Sequence, residues 1–479
     1  MRAGPGLYVH ALRTARRRQL VGRVTRVVSR RRFPVAPSRR FRPLTDVEPL
    51  WRSRAFAPTE ERRPPAPGRL GRFELHYADD VLGLARRGDV AAAAAALHEW
   101  IARNPPRHGD PWHPYVVSTR IANWVAAATL LPELAAPEVV ESLSRQLAFL
   151  ERNVEDDVLG NHVIRNAKAL VLGGAALDDR TLLEAGRALL ARELPEQVLP
   201  DGGHYERSPA YHRLVLRDLL EVQPFAPVGP EVQRMTRFAS ASARPDGAPA
   251  LFNDGNLDIA PPLELPPAES GTSVFPETGY VFVREGGLWL ALDCGPPAPA
   301  FLPAHAHADA LSIQLWLDGV PVIVDPGTST YEPGETRRRE RSTAAHSTVA
   351  IDGRDQFEQW GAFRSGPLPE VILRAADRNR AEAEVRWPTG AVHRRSVRWS
   401  SRDAEVEDSV GGAARALESR LTQAPEAVSH ATITAGGDVE SEPGWTSERF
   451  AAPRRSSNLV QRRAGAHAEL SWRVATDAV

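Results

Sequence analysis

The feature that most constrains the fold is a change in the spacing of apolar residues near residue 265. Between residues 73 and 251, apolar side chains recur every three or four positions in segments separated by short Pro- or Gly-containing connections. After residue 267 the spacing changes to two, which is typical of short strands joined by turns. The chain therefore predicts a helical domain followed by an antiparallel β-sandwich, with a ligand cleft between them.

The two halves can be divided into individual elements. The predicted helices include 77–101, 115–131, 137–154, 162–177, 180–194, 211–222 and 231–243. The predicted strands are 279–283, 288–293, 311–317, 320–324, 347–351, 370–373, 381–386, 395–400 and 404–408. Gly286-Gly287 and Asp318-Gly319 have the residue types of tight hairpin turns.

The first 45 residues differ in charge from the rest of the chain. They hold thirteen Arg and neither Asp nor Glu, although the whole chain balances at 60 basic and 60 acidic residues. Residues 7–32 have the pattern of a helix, and prolines at 34, 37, 43, 64, 65 and 67 follow. We expect a solvated basic arm and a linker, and the charge leaves open a contact with an anionic lipid surface or with the acidic body.

Composition excludes several classes of protein. The balanced charge argues against a nucleic-acid-binding protein. Cys294 is the only cysteine, so disulfides within the chain and cysteine-based zinc sites are excluded. No apolar run reaches the roughly 18 residues that a membrane span requires, and no apolar signal-peptide core precedes residue 40. By sequence we expect a cytoplasmic protein without a transmembrane segment.

Two polar clusters lie in the helical half. Asn161 and His162 begin a predicted helix, and Arg165 lies on the same face as His162, which suits contact with an anionic ligand. Asn161 is either a helix cap or an amide donor to a ligand. In the second cluster, His204 lies in a Gly-rich turn, and Tyr211 follows a Ser-Pro helix opening, where it is either a packing residue or part of a site.

A third cluster comes from three loops of the β-half, at 305–309, 324–328 and 343–348. His305 and His307 would share a face of a strand, so solvent exposure alone is one explanation for them. The alternative is a zinc site, because neutral imidazole and carboxylate are suitable zinc ligands.

Taken together, the three clusters resemble the heparinase II/III-like polysaccharide lyases, in the family's order and over about residues 70–365. The resemblance implies an incomplete (α/α) toroid followed by an antiparallel β-sandwich. The corresponding division is a basic arm and linker at 1–68, the toroid at 69–265 and the sandwich at 266–479. Family members are commonly periplasmic or secreted, which implies a cell-envelope location and differs from the location expected from sequence alone.

The implied reaction is β-elimination at a uronic acid of an anionic polysaccharide. Such an enzyme must neutralise the sugar carboxylate, supply a base for the C5 proton and protonate the leaving oxygen. The predicted catalytic residues are Asn161, His162, Tyr211 and His305, and the predicted substrate contacts are Arg165 and His204. Because an ordinary phenol titrates near pKa ~10, we expect cations around Tyr211 that favour its phenolate form. Tyr205 is the second choice for the proton-transfer role.

By the same resemblance, His307, Asp325 and His346 bind a structural Zn²⁺ ion, with water as the fourth ligand. Two other functions remain as alternatives. An inverting glycoside hydrolase would need two carboxyl groups from Asp201, Glu206 and Asp254. A non-catalytic glycan-binding or surface-polysaccharide assembly protein would keep the fold with altered chemistry.

Overall fold

The computed structural model describes residues 4–28, 39–53, 66, 68–259, 262–412, 416–464 and 469–476. Helices occupy the first half of the chain and antiparallel strands the second half, which confirms the predicted fold class. Among the described residues, none of the helices has the length and apolar character needed to cross a bilayer. The predicted linker prolines at 34, 37, 64, 65 and 67 lie outside the described residues.

The helices pack around one apolar core made by most of the helical half. The first six are α1 Pro5–Thr14, α2 Arg17–Val28, α3 Glu48–Arg52, α4 Gly68–Glu74, α5 Asp79–Arg86 and α6 Val90–Arg103. They are followed by α7 Pro114–Leu130, α8 Pro137–Glu151, α9 Asn161–Ala176, α10 Arg180–Gln197, α11 Pro209–Val222 and α12 Gly229–Ala241.

Helix α9 is the central element of this half and carries Asn161 at its start. Nearly all of its residues are buried, and it packs closely on α10. A Cβ atom at Gly174 would lie only 2.4 Å from the backbone nitrogen of Leu183, so this close approach requires glycine. The packing fixes the direction of α9 and hence the position of its first turn.

Two predicted helices are each divided in the structure. The predicted helix 77–101 is wrong as a single element, because Gly88 takes a left-handed φ of 77° and Asp89 caps the next helix by accepting from Ala92 N at 3.0 Å. The predicted helix 7–32 is divided at Ala15 into α1 and α2, and its residues 29–32 lie outside the described residues.

The β-half forms two main antiparallel sheets and a small two-stranded ribbon. The strands of the first part are β1 Gly271–Phe275, β2 Tyr280–Glu285, β3 Leu288–Asp293, β4 Ile313–Leu317, β5 Val320–Ile323, β6 Val349–Ile351, β7 Gln359–Trp360 and β8 Arg364–Ser365. A short helix, α13 Glu335–Glu340, lies between β5 and β6. The remaining strands are β9 Glu370–Ala376, β10 Arg380–Arg386, β11 Val392–Trp399, β12 Asp403–Gly411, β13 Ala416–Gln423, β14 Ala431–Ala435, β15 Val439–Thr446, β16 Arg454–Ala464 and β17 Glu469–Thr476.

One sheet has the order β1-β2-β3-β4-β5-β13-β16-β15, with β6 also paired to β13, and the other has the order β14-β17-β12-β11-β10-β9. Their facing apolar side chains form the sandwich core. Both predicted hairpin turns occur, between β2 and β3 and between β4 and β5. The strands after residue 411 were not predicted, because segments such as the Arg- and Ser-rich β16 lack a clear apolar alternation.

The basic arm packs against the acidic body, so the expectation of a solvated arm is wrong for its described part. Arg18 pairs with Glu193 at 2.5 Å, Arg26 pairs with Asp157, and Leu7 is buried. The predicted alternative of a contact with the protein's own acidic body is confirmed.

Candidate active site

Asn161 lies at the first position of α9 and points its side chain toward Glu206. Its backbone nitrogen donates to Glu206 Oε1 at 2.7 Å, and its side-chain Nδ2 lies 3.1 Å from Glu206 Oε2. The preceding Gly160 has a φ of 62°, and a Cβ atom there would lie 2.0 Å from Glu206 Oε1. The N-cap position of α9 is held by Gly160, so Asn161 is not the helix cap, and its amide donates to Glu206.

Tyr211 is placed by the opening of α11. Ser208 caps the helix by accepting from the Tyr211 backbone nitrogen at 3.4 Å, with Pro209 as the first helical residue. The Tyr211 hydroxyl lies 2.9 Å from the Tyr331 hydroxyl, and its ring stacks on His305 with 3.9 Å between centroids. Tyr211 therefore faces the β-half across the domain interface.

His305 joins the two domains through two buried carboxylates. Its Nδ1 lies 2.8 Å from Asp254 Oδ2, and its Nε2 lies 3.1 Å from Glu206 Oε2. Burial alone would lower the pKa of His305, but the hydrogen bonds with Asp254 and Glu206 raise it to about 9. Both ring nitrogens face acceptors, which is the arrangement of an imidazolium that donates on both sides.

Asp254 is the centre of a buried network beneath His305. It accepts hydrogen bonds from both terminal nitrogens of Arg337 and lies 2.9 Å from His307 Nε2. Burial alone would raise the pKa of Asp254, but Arg337 and the two histidines hold it well below its ordinary value. This fixed carboxylate holds His305 and His307 in defined orientations.

The surroundings of Tyr211 do not favour a phenolate, contrary to the sequence-based expectation. Burial raises the pKa of Tyr211 well above its usual value, and Tyr331 and Asp254 raise it further. The positive charge of His305 is balanced by Glu206 and Asp254, and this pairing explains why the predicted effect is missing. Tyr211 is therefore a neutral phenol in this site.

His162 lies beside the same site and keeps part of its ring exposed. Its Nδ1 is 3.1 Å from Glu155 Oε1, and its ring packs on Tyr115 with 4.4 Å between centroids. Burial alone would raise the pKa of Glu155, but His162 and His113 lower it to about 2. The Glu155 carboxylate favours a proton on Nδ1 of His162 and leaves Nε2 as an acceptor.

The structure does not offer Arg165 and His204 as direct substrate contacts. Arg165 donates from Nε to Asp218 Oδ2 at 2.6 Å, within a buried cluster that also holds Lys168. His204 is 1% exposed, and its Nε2 lies 3.1 Å from Gln197 Oε1. Burial lowers the pKa of His204 to about 4, so the His204 ring is neutral and packs in the interior.

Three buried side chains near the predicted zinc site have atoms without a partner. Within the described residues, three atoms make no hydrogen bond: His307 Nδ1, Asp309 Oδ1 and His346 Nε2. Ligand atoms of these three residues lie within 4.8 Å of one another, which is close enough to hold one metal ion. Asp325, the predicted carboxylate ligand, instead lies 2.8 Å from His346 Nδ1. The donor set of two imidazoles and one carboxylate fits Zn²⁺, with Asp309 in the place predicted for Asp325.

Several residues of the site were not assigned their observed roles from sequence. Tyr331, Arg337 and Phe363 lie on loops and a short helix with no motif that marks them, and Phe363 is 40% exposed beside His305. The sequence indicates Glu206 and Asp254 only as possible hydrolase carboxylates. One sequence signal for them is a neighbouring glycine: Gly202 and Gly203 precede Glu206, and Gly255 follows Asp254. Core packing does not explain an acidic residue at such a turn.

The carboxylates proposed for a hydrolase are already engaged. Glu206 and Asp254 are both buried and both contact His305. Asp201 accepts from the Thr278 backbone nitrogen at 2.7 Å and from the Thr278 hydroxyl at 2.6 Å. An inverting hydrolase needs one carboxyl group to activate water and one to protonate the leaving group, and this arrangement favours neither.

Comparison with known proteins adds family information to this geometry. The family description "Heparinase II/III N-terminus" matches residues 90–244, and "Heparinase II/III-like, C-terminal" matches residues 267–474. A solved structure of heparinase III covers 98% of this chain and 92% of its own, at 14% identity and a TM-score of 0.71. This likeness confirms the fold as an incomplete (α/α) toroid followed by an antiparallel β-sandwich.

Two curated relatives match parts of the chain. FtsZ-localized protein C of Caulobacter vibrioides is 25% identical over 331 residues, which span 65% of this chain and 57% of that protein. The heparin-sulfate lyase of Bacteroides stercoris is 22% identical over 246 residues, which span 42% of this chain and 37% of that protein. The chain thus spans less than two thirds of the length of either relative.

Proposed function

Because the chain belongs to the heparinase II/III family, we propose that it is a polysaccharide lyase that cleaves a uronic-acid-containing glycan by β-elimination. The observation that carries this proposal is the stacking of Tyr211 on His305 at the domain interface, 3.9 Å between ring centroids. This stacking places the Tyr211 phenol of the helical half against the His305 imidazolium of the β-half. Incubation with heparan sulfate, alginate and a bacterial exopolysaccharide tests the proposal, because an unsaturated uronide product raises ultraviolet absorbance.

Each chemical demand of the elimination has a residue in the site. The Asn161 amide nitrogen contacts both oxygens of Glu206, at 3.3 and 3.1 Å, and we assign one of its two N–H donors to the substrate carboxylate, where it stabilises charge that develops during proton removal. His162, oriented by Glu155, takes the C5 proton on Nε2. Tyr211, a neutral phenol, gives its proton to the leaving glycosidic oxygen.

Sugar rings need an apolar surface in the cleft, and Phe363 is suited to provide it. Its ring lies 6.5 Å from the His305 ring and 5.5 Å from the Tyr331 ring, measured between centroids. Arg337 also approaches the Phe363 ring, with 5.5 Å from its guanidinium carbon to the centroid. We assign Phe363 the role of a stacking platform for a sugar next to the cleaved bond.

Glu206 acts as a positioning residue in this proposal. Replacing it by Gln should lower kcat by about 10²-fold with a smaller change in KM, because an amide nitrogen would face the donors of Asn161 and His305 and shift both. Steady-state kinetics measures the split. A matched control is Glu277→Gln, an exposed glutamate that precedes Thr278. Unchanged kcat in Glu206→Gln would remove Glu206 from the site.

We also propose that the unpartnered cluster of His307, Asp309 and His346 binds Zn²⁺. The ion would neutralise the buried Asp309 and brace the sandwich beside His305. Asp325 would orient His346 through its hydrogen bond of 2.8 Å to Nδ1. The role of the ion is structural, and no catalytic step is assigned to it.

The zinc assignment predicts about one ion per chain in purified protein. Asp309→Asn and His346→Ala should lose the ion and lower the melting temperature together, whereas Asp325→Asn should weaken zinc affinity by about 10 to 100-fold. His305→Ala should retain zinc and lose turnover. Elemental analysis and thermal melts with and without a chelator measure these effects. Full zinc loss in Asp325→Asn with retention in Asp309→Asn would restore the ligand set predicted from sequence.

A non-catalytic glycan-binding protein is the second candidate function. Glu206 already accepts hydrogen bonds from Asn161 and His305. If the substrate does not displace these hydrogen bonds, the site is a rigid polar pocket that binds glycan without cleaving it. The two functions are separated by one pair of measurements. Glycan binding without any unsaturated product would favour the second candidate.

A further inference from the structure

Helix α2 turns Arg18 and Gln19 to the body and its described apolar side chains to solvent. Gln19 is only 3% exposed and donates to the Phe301 carbonyl, and Arg18 pairs with Glu193. The apolar residues Leu20, Val21 and Val24 are 36%, 63% and 62% exposed. Helices on the surface of globular proteins normally have the opposite orientation, so this face indicates contact with an apolar partner.

Helix α1 repeats the pattern on the same arm. Leu7 is buried, whereas Tyr8, Val9 and Leu12 are 49%, 45% and 59% exposed. Among the described residues, six of the ten exposed large apolar side chains lie between residues 8 and 24. We call these six residues the apolar arm face: Tyr8, Val9, Leu12, Leu20, Val21 and Val24.

The charges around the apolar arm face decide which partner it fits. Arg13, Arg17 and Arg23 are exposed on the same two helices, and residues 1–45 contain no acidic residue. Exposed apolar side chains accompanied by exposed arginines, on helices without an acidic residue, match a bilayer surface, where acyl chains lie beneath anionic headgroups. The arginines that bind the body, such as Arg18, are a separate set.

We propose that the apolar arm face docks on an anionic membrane, with its aliphatic side chains inserted at the headgroup boundary and Tyr8, whose ring packs on Trp360, at the edge of the contact. Arg13, Arg17 and Arg23 contact lipid phosphates at the edge of the inserted face. Because Gln19 donates to the Phe301 carbonyl, four residues before His305, the docked arm stays attached to the loop that leads to His305. The proposal concerns location and does not depend on the lyase activity.

The test is sedimentation of the full-length protein with vesicles of phosphatidylcholine mixed with phosphatidylglycerol. The Val21→Asp/Val24→Asp variant should lower the partition coefficient by at least about tenfold, because each aspartate opposes both insertion and the anionic headgroups. The matched control, Leu75→Asp/Val428→Asp, changes residues that are 66% and 71% exposed elsewhere and should bind as the wild type does. Near 0.15 M salt, where the Debye length is about 8 Å, binding should weaken without disappearing.

Three outcomes would overturn the proposal. One is that the wild type does not sediment with these vesicles, and another is that the arm variant and the control variant bind equally. The third is that the arm variant loses self-association in sedimentation velocity while vesicle binding is unchanged, which would assign the face to a second copy of the chain. Circular dichroism of both variants checks that the fold is retained.

Discussion

Replacing Tyr211 by Phe should lower turnover by about 10³-fold or more while leaving the fold and glycan binding nearly unchanged. The substitution removes only the hydroxyl that lies 2.9 Å from Tyr331, and the ring still stacks on His305. Proton transfer by a positioned side chain raises the reaction rate roughly 10² to 10⁴-fold. The oxygen of a glycosidic bond departs poorly as an anion, so it needs this proton. Stopped assays of unsaturated product, together with a glycan-binding measurement, give the two quantities.

Tyr205→Phe is the matched control for this variant. The Tyr205 hydroxyl accepts from the Gly160 backbone nitrogen at 3.0 Å, and the side chain is 3% exposed. Its loss should cost about 1 kcal/mol of stability and leave most of the turnover. If Tyr205→Phe abolished turnover and Tyr211→Phe did not, the proton-transfer role would move to Tyr205.

Replacing Asp408 by Asn should lower the free energy of unfolding of the sandwich by about 3 to 5 kcal/mol. Asp408 is buried, accepts from Arg395 at 2.7 and 2.8 Å, and lies 2.8 Å from His393 Nε2. Burial alone would raise the pKa of Asp408, but Arg395 and His393 hold it below its ordinary value. The amide would leave the Arg395 charge buried and poorly paired.

The destabilisation caused by Asp408→Asn should extend beyond the sheet that contains Asp408. Arg395 also donates to the carbonyls of Leu311 and Ser347, and Ser347 follows His346 in the chain. Glu407→Gln is the control, because Glu407 forms an exposed pair with Arg398 and its loss should cost less than about 1 kcal/mol. Urea denaturation followed by tryptophan fluorescence compares the two variants. Equal midpoints would show that the Asp408 network does not stabilise the sandwich.

The helical and β halves could be predicted because their apolar spacing is regular. Helices α7 and α9 follow the predicted spans within one residue at each end, and so does strand β3. The failures fall where short-range signals are weak or conflict. Gly88 and Asp89 divide one predicted helix, and β16 is a strand with few apolar residues.

The site could be predicted only in part, because its geometry depends on pairs that are distant in sequence. Motifs marked Asn161, Tyr211 and His305, and the structure brings Tyr211 and His305 into contact. The partners of these residues cannot be read from spacing, since Glu206 and Asp254 lie 99 and 51 positions from His305. Arg165 and His204 lie in the same motifs, yet their side chains turn toward buried partners.

The mass of the products formed from a uronic-acid polysaccharide tests the central claim most directly. An elimination adds no water, so the products should sum to the mass of the substrate, and the new end should carry a double bond that absorbs ultraviolet light. The Tyr211→Phe variant should form no unsaturated product. Products that have gained one water per cleaved bond, without a change in absorbance, would contradict the lyase assignment and favour a hydrolase.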